Sequence, residues 1–143
     1  MRAGYDGDGA VTPPRPSVRT VSRGSRQVAA VTWLALGWAR LWGARISLDE
    51  PSSLLVCEGM RWGFARGGTC VGAAFLTGTV LRDPGRRRAM LTHESVHADQ
   101  WARYGVSFVV RYLREEFRHP GAANRFEIEA GLGDGGYLTR RRS

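Results

Sequence analysis

The sequence predicts an α+β domain in which a small antiparallel sheet precedes two helices that carry the chemically informative residues. Three short apolar segments bounded by glycine-rich turns lie in the middle of the chain, which is typical of strands. Apolar residues recur at spacings of three and four over 27–43 and 88–104, which is typical of helices. A chain of 143 residues is long enough for one domain with a buried core.

The predicted domain covers residues 27–138 and is flanked by two basic tails. Residues 1–26 are rich in proline and glycine and poor in apolar side chains, which predicts a disordered tail. Five arginines against two aspartates give this tail a charge of +3, and the arginines at 140–142 give the C-terminal tail 139–143 another +3. The net charge of +8 is thus mostly in the tails, so it does not indicate a specific nucleic-acid-binding surface.

The first helix is predicted over 27–43, around the apolar run 28–39. Arg40 ends this run after twelve residues, whereas a transmembrane helix needs about 20. We therefore expect a core helix and a cytoplasmic protein. Two alternatives stay open: the tryptophans and arginines of this helix suit a weak membrane-surface contact, and the run 28–39 resembles an export signal.

The sheet is predicted from three strands, over 54–58, 60–65 and 69–77, with a hairpin turn at Gly67-Gly68. Small residues at 72–74 have two interpretations. They would let an extended substrate approach the backbone of the last strand, or they would only allow that strand to pack closely beneath the first helix.

The helix predicted over 88–104 contains His93-Glu94-Ser95-Val96-His97 and is expected to end at Gly105. Residues four apart lie one above the other on a helix, so His93 and His97 can reach one metal ion at about 2.0–2.1 Å. Glu94 would lie beside that ion and could take a proton from a metal-activated water without being a ligand. This HExxH pattern is the signature of zinc-dependent hydrolases.

Catalytic zinc sites usually have a third protein ligand, and the downstream candidates are His119, Glu127, Glu129 and Asp134. A helix is predicted over 106–117, with Val109, Tyr112, Leu113 and Phe117 facing inward. A short second ligand-bearing helix is predicted from Asn124, which is a favourable N-cap residue.

HExxH followed by Asn124-x-x-Glu127-x-x-Ala130 resembles the gluzincin branch of the zincin metallopeptidases, in a short, single-domain bacterial form. The resemblance implies that His93, His97 and Glu127 bind Zn²⁺, with Glu129 as the reserve third ligand, and that Glu94 is the general base. Because Glu127 also lies three residues after a candidate N-cap, a capping box is its structural alternative.

The resemblance further implies a metallopeptidase that hydrolyses a peptide or amide bond of a peptide or protein substrate. His119 and Tyr137 are candidate donors to the oxyanion that develops in this reaction, with Tyr104 and Tyr112 as rivals. Two other functions stay open. One is a catalytically inactive, zinc-binding regulatory module, and the other is a membrane- or polyanion-associated protein that binds through the tryptophan-rich helix and the arginine tails.

Overall fold

A computed structural model describes residues 17–132 and residue 134 of the chain. Two helices precede and three helices follow a small sheet of four consecutive strands in this range, which confirms the predicted α+β class. The elements are α1 (Val18–Val21), α2 (Arg26–Leu41), β1 (Arg45–Asp49), β2 (Leu54–Glu58), β3 (Thr69–Val71), β4 (Ala74–Leu76), α3 (Pro84–Tyr104), α4 (Ser107–Arg118), a 3-10 turn (Gly121–Ala123) and α5 (Arg125–Ala130).

The four strands form a mixed sheet in the order β1-β2-β4-β3, not the antiparallel sheet that was predicted. β1 pairs antiparallel with β2, and β3 pairs antiparallel with β4. The hairpin of β3 and β4 is placed so that β4 lies against β2, and the two strands run parallel. β3 is therefore an edge strand, and β4 lies inside the sheet.

Two strand predictions were wrong in detail because of glycine positions. Residues 60–65 form a loop, since Gly59 and Gly63 adopt φ values of 72° and 90° that break an extended strand. The predicted strand 69–77 is divided in two by Gly72, where φ is 64°. The hairpin turn consequently lies at Gly72 rather than at Gly67-Gly68.

The sheet is covered by α2 on one face and α3 on the other. Leu54 and Val56 of β2 pack with Leu91 of α3, whereas Cys57 packs with Leu36 of α2. Burial of both faces explains why residues 54–58 read as an apolar run without alternation. This arrangement fixes α3, which carries the HExxH pattern, against the sheet.

The small residues at the β3–β4 turn serve packing under α2, which is one of the two interpretations above. A Cβ atom on Gly72 would lie 2.4 Å from Thr32 Oγ1. That oxygen accepts a hydrogen bond from the Ala73 amide at 2.9 Å and donates to the Val28 carbonyl at 2.7 Å. Ala73 and Ala74 are completely buried, so a substrate backbone cannot approach the chain at this turn.

Helix α2 is a core helix on one side only. Val28, Ala35 and Ala39 are buried, whereas Trp33 and Leu34 are 58% and 75% exposed. None of the helices in the described part of the chain has the length and apolar character that crossing a bilayer requires.

The predicted disordered tail 1–26 does not hold for its last ten residues. Ser17 caps α1 by accepting a hydrogen bond from the Thr20 amide, and Val21 is 2% exposed. Arg23, counted above as a tail charge, forms an ion pair with Asp99 of α3 at 2.5 Å. Residues 1–16, Tyr137 and the C-terminal tail lie outside the described residues.

Candidate metal centre

Helix α3 begins and ends at residues suited to those positions. The Asp83 side chain accepts a hydrogen bond from the Arg86 amide at 2.6 Å, and Pro84 occupies the first turn, where a missing N–H is harmless. The helix therefore starts four residues before the predicted residue 88. It ends at Gly105, as expected, where φ is 59°. His93 and His97 lie in the middle of this helix, where backbone geometry is best fixed.

His93, His97 and Glu127 converge to form a buried group of three ligand atoms. The two Nε2 atoms are 3.1 Å apart. Glu127 Oε2 lies 3.2 Å from His93 Nε2, and Glu127 Oε1 lies 3.5 Å from His97 Nε2. In a tetrahedral zinc site with bonds of about 2.0–2.1 Å, neighbouring ligand atoms are separated by about 3.3 Å. The three residues thus fit three of the four positions around one zinc ion.

The second nitrogen of each imidazole has a fixed partner. His93 Nδ1 lies 3.0 Å from the Gly131 carbonyl, which can only accept. His97 Nδ1 lies 2.8 Å from Gln100 Oε1. The amide nitrogen of Gln100 donates to the Phe126 carbonyl at 3.1 Å, so its oxygen must face the histidine. Both Nδ1 atoms therefore carry a proton, and both Nε2 atoms face Glu127, so that each ring could bind a metal through Nε2 in its neutral form, as metal-binding histidines do.

Glu127 does not form the capping box that was its structural alternative. Asn124 caps α5 by accepting a hydrogen bond from the Phe126 amide at 3.0 Å. The Asn124 amide itself donates to the Gly121 carbonyl, also at 3.0 Å. The Glu127 carboxylate instead accepts a hydrogen bond from the Tyr112 hydroxyl of α4. Its free oxygen lone pairs face the two histidines.

The reserve ligand Glu129 points away from the group. Its carboxylate contacts Gln100 Nε2 at 3.0 Å and Arg103 at 3.3 Å, and its side chain is 42% exposed. Asp134 is not part of the group either. Of the predicted third-ligand candidates, the structure brings only Glu127 to the histidines.

The candidate oxyanion donors are dispersed. His119 follows α4, is exposed, and contacts Glu115 at 3.1 Å. The Tyr104 ring stacks on Phe108. Tyr112 reaches the group, but as a donor to Glu127, and Tyr137 lies outside the described residues.

Gln100 was missed by the sequence reasoning, which counted it only as part of the helical spacing. Its position three residues after His97 on the same helix face was the available signal.

Replacing Gln100 by leucine removes the acceptor of the His97 Nδ1 proton while nearly conserving the volume of the side chain. We expect zinc affinity to fall about 10- to 100-fold, measured by competition with a chromogenic chelator. Gln27→Leu, which removes a glutamine hydrogen bond to the Val106 amide, should leave affinity unchanged; an equal loss in both variants would contradict a specific role for Gln100.

The charges of the group are strongly coupled. Burial opposes charge on His93 and His97, but hydrogen bonds to Glu127 together with the charges of Glu94 and Glu127 outweigh it and raise the pKa of both rings above the ordinary value. Burial likewise opposes charge on Glu127, but the two histidines and Tyr112 hold its pKa well below the usual range. Burial raises the pKa of Glu94 to about 7, against the opposing effect of His97 and His93.

These shifts give metal-free and zinc-loaded protein opposite pH dependences. Raised histidine pKa values stabilise the metal-free fold below about pH 6.5, and this stabilisation is lost as pH rises through the folded-state values. The raised pKa of Glu94 acts in the same direction. Zinc needs neutral imidazoles, so its binding strengthens over the same range. The difference in melting temperature between zinc-loaded and chelator-treated protein should therefore widen from about pH 6 to about pH 8. A difference that stays constant or narrows would contradict this coupling.

The group is enclosed by the described residues and lies beside the edge of the sheet. His93, Glu94, His97 and Glu127 are between 3% and 7% exposed. Cys70 of the edge strand β3 is close enough for the Glu94 charge to contribute to a raised thiol pKa, after the larger effect of burial. Two surface depressions lie away from the group, one over 79–86 and one on α4 and α5.

Comparison with protein-family models, curated proteins and solved structures yields no match for this chain.

Proposed function

We propose that the protein is a zinc-dependent metallopeptidase that hydrolyses a peptide or amide bond. The observation that carries the proposal is the convergence of His93 Nε2, His97 Nε2 and the Glu127 carboxylate at separations of 3.1–3.5 Å. Glu94 supports it further, since HExxH pairs two ligands with a base on one helix. A protein that only holds zinc for stability has no need of that glutamate.

A zinc ion held by these ligands would supply Lewis acidity that polarises the scissile carbonyl and acidifies an attacking water. The chain's residues have separable tasks in such a reaction. Gln100 and the Gly131 carbonyl hold the two imidazoles in one tautomer, and Tyr112 orients the Glu127 carboxylate. Glu94 takes the proton of the attacking water and delivers it to the leaving amine.

A catalytically inactive zinc-binding module is the second candidate function. The low exposure of all four site residues favours it, because a closed site suits structural zinc better than a substrate cleft. The two functions differ in what they require of Glu94 and in whether zinc-dependent hydrolysis is detectable.

The deciding experiment measures metal content and hydrolysis on the same preparation. Protein purified without chelators is expected to carry about one zinc per chain by mass spectrometry, and His97→Ala to carry none. His119→Ala is the matched control, because His119 is exposed and outside the group. Hydrolysis of a dye-labelled unfolded protein should stop on chelation and return with zinc. Bound zinc without hydrolysis would support the inactive module, and wild-type protein without affinity for zinc would overturn both functions.

A further inference from the structure

Helix α4 exposes an apolar strip along its outer face. The sequence placed Val109, Leu113 and Phe117 on its inner side, and the structure shows the opposite. The exposed fractions are 54% for Val106, 42% for Val109, 69% for Val110, 60% for Leu113 and 90% for Phe117. The buried side of the helix instead carries Phe108, which packs against Trp101 and Phe126. The apolar strip spans twelve residues, or about 18 Å of helix.

A row of arginines borders the apolar strip along the whole helix. Arg111, Arg114 and Arg118 recur at spacings of three and four, so they share one side of α4. Together with Arg125 of α5 and Glu115 they line a depression of about 220 Å³. Within residues 17–132 the three α4 arginines form no ion pair, and Glu115 contacts His119 and Arg125 instead. The depression therefore presents uncompensated positive charge.

Two of these guanidinium groups are held in place by aromatic rings. Arg111 lies over the Tyr104 ring at 4.9 Å, and Arg125 lies over the Phe126 ring at 4.6 Å. Stacking of this kind limits the motion of the side chain while leaving N–H donors available. Guanidinium groups bind phosphate through two parallel hydrogen bonds, so the depression matches a phosphate-bearing ligand.

We propose that α4 lies on the surface of a membrane that contains anionic phospholipids. The apolar strip enters the boundary between head groups and acyl chains, and the arginine row contacts lipid phosphates. A helix with an apolar face beside a basic polar face has the composition of an interfacial membrane helix. Each arginine near an anionic surface adds electrostatic attraction. The apolar strip and the arginine row are adjacent on α4, so both can contact one flat membrane surface at the same time.

A second copy of the chain fits this surface less well. Two α4 helices packed antiparallel on each other about a two-fold axis would bring their arginine rows to the same side of the contact, and like charges that lie close together oppose association. The anionic membrane complements both the apolar and the charged part of the helix. The proposed contact through α4 also differs from the membrane contact that the sequence suggested, which involved the tryptophans of α2 and the arginine tails.

The test is co-sedimentation of the full chain, loaded with zinc, with vesicles of phosphatidylcholine alone or mixed with phosphatidylglycerol. We expect binding only to the mixed vesicles. Arg114→Gln combined with Arg118→Gln should weaken it about thirtyfold, because each arginine near such a surface contributes roughly a fivefold factor. Leu113→Asp should abolish it. The matched controls are Arg40→Gln combined with Arg45→Gln, and Leu34→Asp, all at exposed positions outside α4.

The circular dichroism spectrum and the zinc content of each variant must match those of the wild type, so that a loss of vesicle binding is not the result of misfolding. Absence of binding to mixed vesicles would overturn the proposal, as would equal binding to neutral vesicles or equal losses in the α4 and control variants. Displacement from mixed vesicles by millimolar inorganic phosphate at constant ionic strength would overturn it in favour of a soluble phosphate ligand. A concentration-dependent dimer that Leu113→Asp dissociates would overturn it in favour of self-association.

Discussion

Replacing Glu94 by glutamine is expected to leave zinc bound and to lower kcat for peptide hydrolysis about 10²- to 10⁴-fold. The amide has the shape of the carboxylate but cannot accept the proton of the attacking water. Zinc should remain, because the ligand group consists of His93, His97 and Glu127. Removal of a buried carboxylate whose pKa is raised to about 7 also relieves an unfavourable charge, so the melting temperature should not fall.

Glu50→Gln is the control for this substitution, because Glu50 is an exposed acid in the β1–β2 turn. Hydrolysis by Glu94→Gln at the wild-type rate would exclude the glutamate as the base and remove the main argument for an enzyme. Loss of zinc together with loss of turnover would instead assign Glu94 to the binding of the metal.

The second large effect concerns the third ligand. Glu127→Ala should reduce zinc affinity by more than the roughly hundredfold that loss of a supporting residue causes. Zinc at about a thousandfold excess over its Kd stabilises the wild-type fold by about 4 kcal/mol. This corresponds to a gain of roughly 10 °C or more in melting temperature for a domain of this size. Glu127→Ala should lose most of that gain.

Glu129→Ala provides the comparison two residues away, because the sequence alone left both glutamates open as ligands. Glu129 contacts Arg103 at the surface, and we expect its variant to keep both zinc and the zinc-dependent gain in melting temperature. A zinc loss in Glu129→Ala with retention in Glu127→Ala would reverse the assignment of the third ligand.

The sequence was sufficient for the part of the site that depends on one helix. The spacing of His93 and His97 is a property of helical geometry, and the caps at Asn124 and Gly105 depend on local backbone chemistry. The choice between Glu127 and Glu129 was different in kind. It depends on how α5 is rotated about its axis, which is fixed by contacts of Phe126 with distant aromatic side chains.

The orientation of α4 could not be predicted for a similar reason. Both sides of this helix carry apolar residues, so periodicity alone cannot identify the buried one. The choice is made by tertiary contacts, including those of the Glu116 carboxylate, which accepts hydrogen bonds from the Gly121 amide and the Asn124 side chain.

In the sheet, β4 lies between β2 and β3 because the β3–β4 hairpin turns at Gly72. The residue pattern of a strand does not show which other strands it pairs with.

If the proposed site binds zinc, the position of Glu127 on α5 would also link metal supply to the completion of folding. About thirty residues separate His97 from Glu127, and a shared ion would close them into a loop. Because zinc would bind the folded site and not the unfolded chain, its binding free energy would hold α5 and the segment between the two ligands in place. Helix α5 has six residues, far fewer than the roughly 12–15 that an isolated helix needs. Chelation should therefore release the C-terminal part of the domain first and expose it to proteolysis while the sheet and α3 persist.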